Sequence, residues 1–238
     1  MTVFVGCGSE KKDEKTTTET TTVEETTEFT KENATTFTVA MLKGPTAIGF
    51  IKAWDDSDNG TTLNTYNVTA YGTADEITAG IVKGDIDIAA VPCNLASVLY
   101  NKTNGGIKIA AVNTLGVLYM ISTADDILDV KDLKGKTIIT TGQGTTPEYT
   151  LNYILEQNGL TPGTDVTIEY KSEATEVAAA MSETENAIAM LPQPYVTTVL
   201  SKNENMKIVL DMTEEWNKVS NGNSLVTGVV IVRNEVLS

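Results

Sequence analysis

From residue 37 onward, short apolar runs alternate with segments whose apolar residues recur at helical spacing. Residues 37–42 (FTVAML) read as a strand. Lys43-Gly44-Pro45-Thr46 reads as a turn in which Pro45 opens a helix running to about residue 56. Residues 67–71 alternate as a second strand, and 74–83 form a helix that Gly84 closes with a left-handed cap. A third strand spans 86–91 and a fourth 107–112. The second half repeats this order, with one helical turn at 129–134, strands at 137–140, 166–170, 186–191 and 206–210, and helices at 148–158 and 173–182. Each half reads β-α-β-α-β-α-β, which predicts parallel strands joined by right-handed crossovers. Two apolar segments fall outside this count, 116–122 (GVLYMIS) and 225–232 (LVTGVVIV). Each follows a fourth strand, where the chain would cross between halves and join the sheet it enters. Two crossings make a hinge.

The halves also echo each other in sequence. Residues 88–102, IAAVPCNLASVLYNK, return one hundred positions later as 188–202, IAMLPQPYVTTVLSK. Both read as a buried strand that ends at a proline and turns into a helix. Ile, Ala, Pro and Lys recur in place, while Val91 becomes Leu191, Ala96 becomes Val196 and Ser97 becomes Thr197. A strand–turn–helix built twice predicts two similar lobes. Strand ends and helix N-termini would then face a shared cleft, where α/β sheets bind ligands. The expected division is lobe 1 at 37–115 plus 224–238 and lobe 2 at 116–223, preceded by an N-terminal segment at 1–36.

Composition narrows the chemistry. Apolar residues make up 41% of the chain and aromatic ones only 6%, so the core must rely on Val, Ile, Leu and Ala, as buried parallel strands do. A formal charge of −15 disfavours nucleic acid and anionic membranes as partners. Histidine is absent, which removes the commonest general base and metal ligand. The single arginine, Arg233, leaves most of the chain without a bidentate anion clamp. Cys93 has no histidine or second cysteine near it in sequence, so neither a metal nor a catalytic thiol is expected there. Residues 10–36 contain eleven threonines, eight acidic residues and four lysines, too little apolar surface to offset ordering the backbone, and read as a tether.

LKGPTAIGF, DEITAGIVKGDIDIAAVPCNLASVLYNK, AAVNTLGVLY, DLKGKTIITTGQGTTPEYTLNYILEQNGL, IAMLPQPYVTTVLSK and EEWNKVS together resemble the substrate-binding proteins of bacterial ABC importers. The branch is the nitrate/sulfonate/thiamine-precursor type in its Gram-positive lipoprotein form. The resemblance runs from residue 37 to the C-terminus. It implies a type II periplasmic-binding fold, with two α/β lobes joined by a two-strand hinge and ligand capture by lobe closure. It further implies a small-molecule solute, an ABC permease as partner, a monomer, no cofactor and an extracytoplasmic location. Phe4-Val5-Gly6-Cys7 resembles a lipobox, with Cys7 as the lipidated residue holding the protein to the outer face of the membrane. The resemblance also implies helices beyond the return strand that pack on lobe 1, and without them exposed apolar surface is expected there. Other readings are an enzyme on the same fold, such as a pyrimidine-precursor synthase whose activity needs histidine, or a non-binding lipoprotein.

The segment Thr141-Gly142-Gln143-Gly144-Thr145-Thr146 offers the most informative local chemistry. Its glycines admit close backbone approach, and the helix it leads into supplies unpaired N–H donors. Helix capping by Thr145 or Thr146 accounts for the same pattern, and the missing GK[ST] ending excludes a Walker A loop. The counterpart in lobe 1 is Lys43-Gly44-Pro45-Thr46, with Lys43 either pairing an anion or lying on the rim. Asn94, and Gln193-Pro194 at the matching place, fit helix capping as well as ligand contact. Asn113 and Thr114 end a strand beside the hinge. Trp216 fits stacking on a flat ligand or packing under the hinge.

Overall fold

The computed structural model describes residues 34–183 and 186–237, so Cys7 and the threonine-rich segment up to residue 33 lie outside the described residues. Two five-stranded sheets are formed. The first contains β1 (Thr36–Leu42), β2 (Thr65–Tyr71), β3 (Ile88–Pro92), β4 (Ile107–Leu115) and β10 (Val226–Arg233), in the order β2-β1-β3-β10-β4. The second contains β5 (Leu118–Ser122), β6 (Thr137–Thr140), β7 (Thr167–Tyr170), β8 (Ile188–Pro192) and β9 (Lys207–Asp211), in the order β7-β6-β8-β5-β9. In each sheet the first three strands pair in parallel. Departing from the all-parallel expectation, the crossing strand lies between the third and fourth strands and runs antiparallel to both. Direction explains the insertion. The parallel strands run towards the cleft, whereas a strand arriving from the other lobe starts at the cleft and runs away from it.

The helices pack on these sheets in the predicted order. They are α1 (Pro45–Ile48), α2 (Ile51–Asp58), α3 (Ala74–Lys83), α4 (Cys93–Lys102), α5 (Thr146–Gln157), α6 (Ala174–Glu183), α7 (Tyr195–Leu200) and α8 (Met212–Val219). The single helix expected from Pro45 is split into α1 and α2. Asn113 Nδ2 donates to the Thr46 carbonyl at 2.9 Å, and the Phe50 N–H that would have used it turns to Ala47 O at 2.9 Å. The unpredicted α8 starts where the Asp211 carboxylate accepts from the N–H groups of Thr213 and Glu214.

The internal repeat extends further back than its strand. At the same spacing, Ala74, Glu76, Ile77 and Ile81 of α3 match Ala174, Glu176, Val177 and Met181 of α6. Ile77 and Ile81 are buried in the lobe 1 core with Val91, Leu95 and Leu99, and Val177 and Met181 are buried in lobe 2 with Leu191, Val196 and Val199. A second lobe 2 cluster joins Leu151, Ile154 and Leu155 of α5 to Met120, Ile138 and Met190. Lobe 1 leaves apolar surface open: Ile109, Val112 and Leu115 on edge strand β4, with Ile48 and Ile51, are all more than half exposed.

Candidate functional site

Between the lobes lies a cleft of about 610 Å³. Equivalent pieces of the two lobes line it. After the first strand of each sheet come Lys43, Pro45 and Thr46 from lobe 1, and the loop from Thr141 to Thr145 from lobe 2. After the second strand come Gly72, Thr73, Ala74 and Asp75, facing Lys171, Ser172, Glu173 and Ala174. The third strands contribute their terminal prolines, Pro92 and Pro192, and the crossings contribute Val117, Leu118 and Thr227. Repetition of the lobes therefore produces repetition of the lining. The loops after β2 and β7 were not among the residues expected from sequence. Their only sequence signal is a glutamate three places into the following helix, which reads simply as a capping pattern.

The loop from Thr141 to Thr145 is held by its own groups. Gly142 and Gly144 both take left-handed backbone, at φ 78° and 72°. Thr145 Oγ1 donates to Gly142 O at 2.6 Å, and the Glu148 carboxylate accepts from the Gly144 N–H. Neither threonine caps α5 by its side chain. Thr146 Oγ1 instead donates across the cleft to Asn94 Oδ1 at 3.1 Å. Asn94 Nδ2 donates back to Gly144 O at 3.0 Å, and the Asn94 N–H reaches Thr146 Oγ1 at 3.3 Å. Asn94 is thus a direct bond between the N-terminus of α4 in lobe 1 and that of α5 in lobe 2. Nearer the rim, Glu173 lies close enough to Gly72 that a Cβ on the glycine would stand 3.2 Å from its carboxylate.

The remaining expected residues serve the frame around the cleft. Asn113 links Thr46 O to the hydroxyl of buried Thr114, which donates to Asn113 Oδ1 at 3.2 Å. Gly44 precedes Pro45 at the start of α1. Gln193 Oε1 accepts from the Thr197 hydroxyl at 2.8 Å and its N–H at 3.3 Å, and Pro194 follows through a cis peptide at the start of α7. Trp216 packs at the edge of the lobe 2 core with its ring 5.1 Å from that of Tyr153, and its indole N–H donates to Asn223 O at 2.8 Å. None of these six lines the cleft. Burial pushes the Cys93 thiol above its ordinary range, which holds it as an unreactive thiol. Among the described residues no cluster of carboxylates and thiols has metal-site geometry.

Tyr170, at the end of β7, lines the cleft, and its hydroxyl is buried beside Glu148. Burial, and then the nearby Glu148 charge, push the phenol well above the ordinary tyrosine range. It therefore stays neutral and able to donate. Charged groups at the cleft are mixed, with Lys43, Lys102 and Lys171 facing Asp75 and Glu173.

Several solved structures share this fold. An ABC transporter protein from Parabacteroides distasonis superposes with a TM-score of 0.66 at 24% identity, over 84% of this chain and 66% of that one. The periplasmic aliphatic sulphonate binding protein SsuA from Escherichia coli gives 0.65 at 14% identity over the same shares. The alkanesulfonate-binding protein SsuA from Xanthomonas axonopodis pv. citri, bound to MOPS, gives 0.61 at 14% identity, again over 84% and 66%. The chain thus spans just under two thirds of the length of these structures. No curated protein matches it. Residues 61–235 match the model of the phosphonate periplasmic substrate-binding proteins of ABC transporters, and the chain belongs to that family.

Proposed function

We propose that the protein is the extracytoplasmic solute receptor of an ABC importer, capturing one small molecule between its lobes and delivering it to the permease subunits. One observation carries this reading. A cleft of about 610 Å³, within the roughly 300–1,000 Å³ usual for small-ligand sites, is lined by matching loops of two repeated lobes. The solute bridges the loops after Leu42, Tyr71, Thr140 and Tyr170, and its binding energy favours the closed arrangement over the open one. Capture and release need no bond chemistry, so the protein is a binding protein and not an enzyme. The cleft residues from the sequence expectation, Lys43, Pro45, Thr46 and those from Thr141 to Thr145, contact the solute directly; Gly44, Asn94 and Thr146 hold the surrounding backbone.

The finer features rest on sequence. Lobe 1 is assigned to 37–115 with 224–238, and lobe 2 to 116–223. Cys7, within the lipobox-like Phe4-Val5-Gly6-Cys7, is the lipid attachment point of a Gram-positive lipoprotein, with residues 10–36 as its spacer. The protein works as a monomer. A thermal-shift panel of sulfonates, phosphonates, pyrimidines and amines tests the receptor reading. A saturable rise in melting temperature with at least one solute, abolished by lining-residue substitutions such as T141A, is expected. A panel without any such rise overturns it.

A further inference from the structure

The two lobes line the cleft unequally once it runs past the first turns of their helices. In lobe 1 it continues into a groove between α3 and α4, with Ala74, Asp75 and Thr78 on one side and Leu95, Val98 and Lys102 on the other. Leu95, Val98 and Lys102 follow one another at helical spacing, so they share one edge of α4 and carry the groove about 10 Å along it. The walls are largely apolar. The Thr78 hydroxyl is satisfied within its own helix, donating to Ala74 O at 2.9 Å, and Val98 is 38% exposed. At the far end stands Lys102, which takes part in no ion pair among the described residues. In lobe 2 the repeat puts Ala178, Thr198 and Lys202 at the matching places, and none of them lines the cleft. There Tyr195 takes the place of Leu95 and packs with Ala178 against the lobe 2 core. The groove therefore belongs to lobe 1 alone and is continuous with the solute cleft.

We propose that the groove between α3 and α4 is a subsite for a substituent of the solute. The solute is then an elongated amphiphile, with a head held between the cleft loops, an apolar chain along Leu95 and Val98, and an acidic group at the far end beside Lys102. The inference rests on the solute-receptor reading and narrows its substrate class. Charge sets the direction of the chain. Asp75, in the first turn of α3, disfavours a second acid close to the cleft, whereas Lys102, two turns along α4 from Leu95, favours one at the end. Apolar contact supplies the affinity. Each methylene laid on the wall leaves water, so binding tightens with chain length until the chain reaches Lys102.

The test uses ethanesulfonate, octanesulfonate, and octanesulfonates ending in a carboxylate or an ammonium, together with the matching phosphonates. Calorimetry reads affinity, and the methyl signals of Leu95 and Val98 in NMR read the place of the chain. On wild type the octane chain should bind at least tenfold more tightly than the ethane one and shift both methyl signals, with the carboxylate-ended chain tighter again. V98D should abolish the gain from the chain while sparing the short solutes. K102E should exchange the preference for a carboxylate end for one for an ammonium end, and T198D, at the matching place in lobe 2, should change nothing. Val98 and Lys102 both reach solvent, so these variants are expected to fold, and V98N replaces V98D if circular dichroism shows otherwise. Chains that bind no better than ethane, a gain that survives V98D, or an end-group preference indifferent to K102E each overturn the inference. Failure of the receptor reading is seen separately, as a thermal-shift panel in which no solute of any length raises the melting temperature.

Discussion

Gly142 and Gly144 share a backbone conformation but not an environment. A side chain at either must accept positive φ, at about 1–2 kcal/mol for an L-residue. A Cβ on Gly144 meets nothing within 4 Å, whereas one on Gly142 would stand 2.7 Å from Thr145 Oγ1 and 3.0 Å from Pro147 Cγ. G144A should therefore lose about 1–2 kcal/mol, and G142A about 3 kcal/mol once overpacking is added. Urea unfolding of the two variants checks the order; equal losses would mean that the loop relaxes around Thr145. Tyr170 gives a second prediction. Its phenol is held neutral by burial and by the Glu148 charge, so it should ionise after the other tyrosines in an absorbance titration. Because the folded state raises this pKa, its stabilising contribution is complete below about pH 10, the unfolded value, and is lost as pH rises beyond it. E148Q should move the titration down only in part, since burial is the larger cause. The tight course of the loop from Thr141 to Thr145 was partly legible in sequence, because two glycines before a helix advertise a turn. Its engagement by Glu148 was not, since a glutamate at the third helical position looks the same whether its carboxylate meets solvent or a cleft.

At the scale of elements, the repeat shows how one blueprint is fitted twice. Position 80 in α3 is glycine and its partner in α6 is Ala180; position 86 is isoleucine and its partner is Asn186. A Cβ on Gly80 would stand 2.3 Å from Ile86 Cδ1 and 2.8 Å from Cγ1, and Ile86 is buried. In lobe 2 the equivalent Asn186 is exposed, and the alanine is accommodated. Small helix residue and large strand-entry residue thus change together. G80A should destabilise by about 1 kcal/mol, the overpacking exceeding the helix-propensity gain, and in an I86V background it should become neutral or stabilising. A double-mutant cycle on melting free energies measures the coupling; strict additivity would show that the two side chains do not compete for space. The strand–proline–helix units were readable because buried parallel strands are apolar runs and their ends carry turn residues. The place of β5 and β10 within the sheets was not. Their apolar runs showed that they are buried, but position between the third and fourth strands depends on the direction from which the chain enters, a property of the whole path. The break between α1 and α2 escaped for a related reason, since it depends on Asn113, 67 residues beyond the Thr46 carbonyl it binds.

At the scale of the molecule, two features connect the lobes, and they do different work. The crossings are tied to each other: Gly116 N–H donates to Leu225 O at 2.9 Å, and Thr227 Oγ1 donates to Gly116 O at 2.6 Å. Gly116 and Val117 both have positive φ, at 65° and 75°, so the turn from β4 into β5 concentrates backbone strain at the hinge. Asn94 acts at the mouth instead. Its side chain makes two of the hydrogen bonds that hold the N-termini of α4 and α5 together, and neither involves the crossings. Cutting them should leave each lobe intact and change only how long the mouth stays shut. At about 0.5–1.5 kcal/mol per bond, N94A should shift the open–closed balance by roughly 5- to 140-fold. Small-angle scattering should then report a larger radius of gyration for N94A at an unchanged melting temperature, and solute affinity should fall by the same factor because closure is linked to binding. N101A is the control. It lies on the same helix but donates only to Ser97 O one turn back, so it should alter neither scattering nor affinity. An N94A protein that scatters like wild type would assign closure to the hinge, leaving Asn94 as a passenger of the closed state.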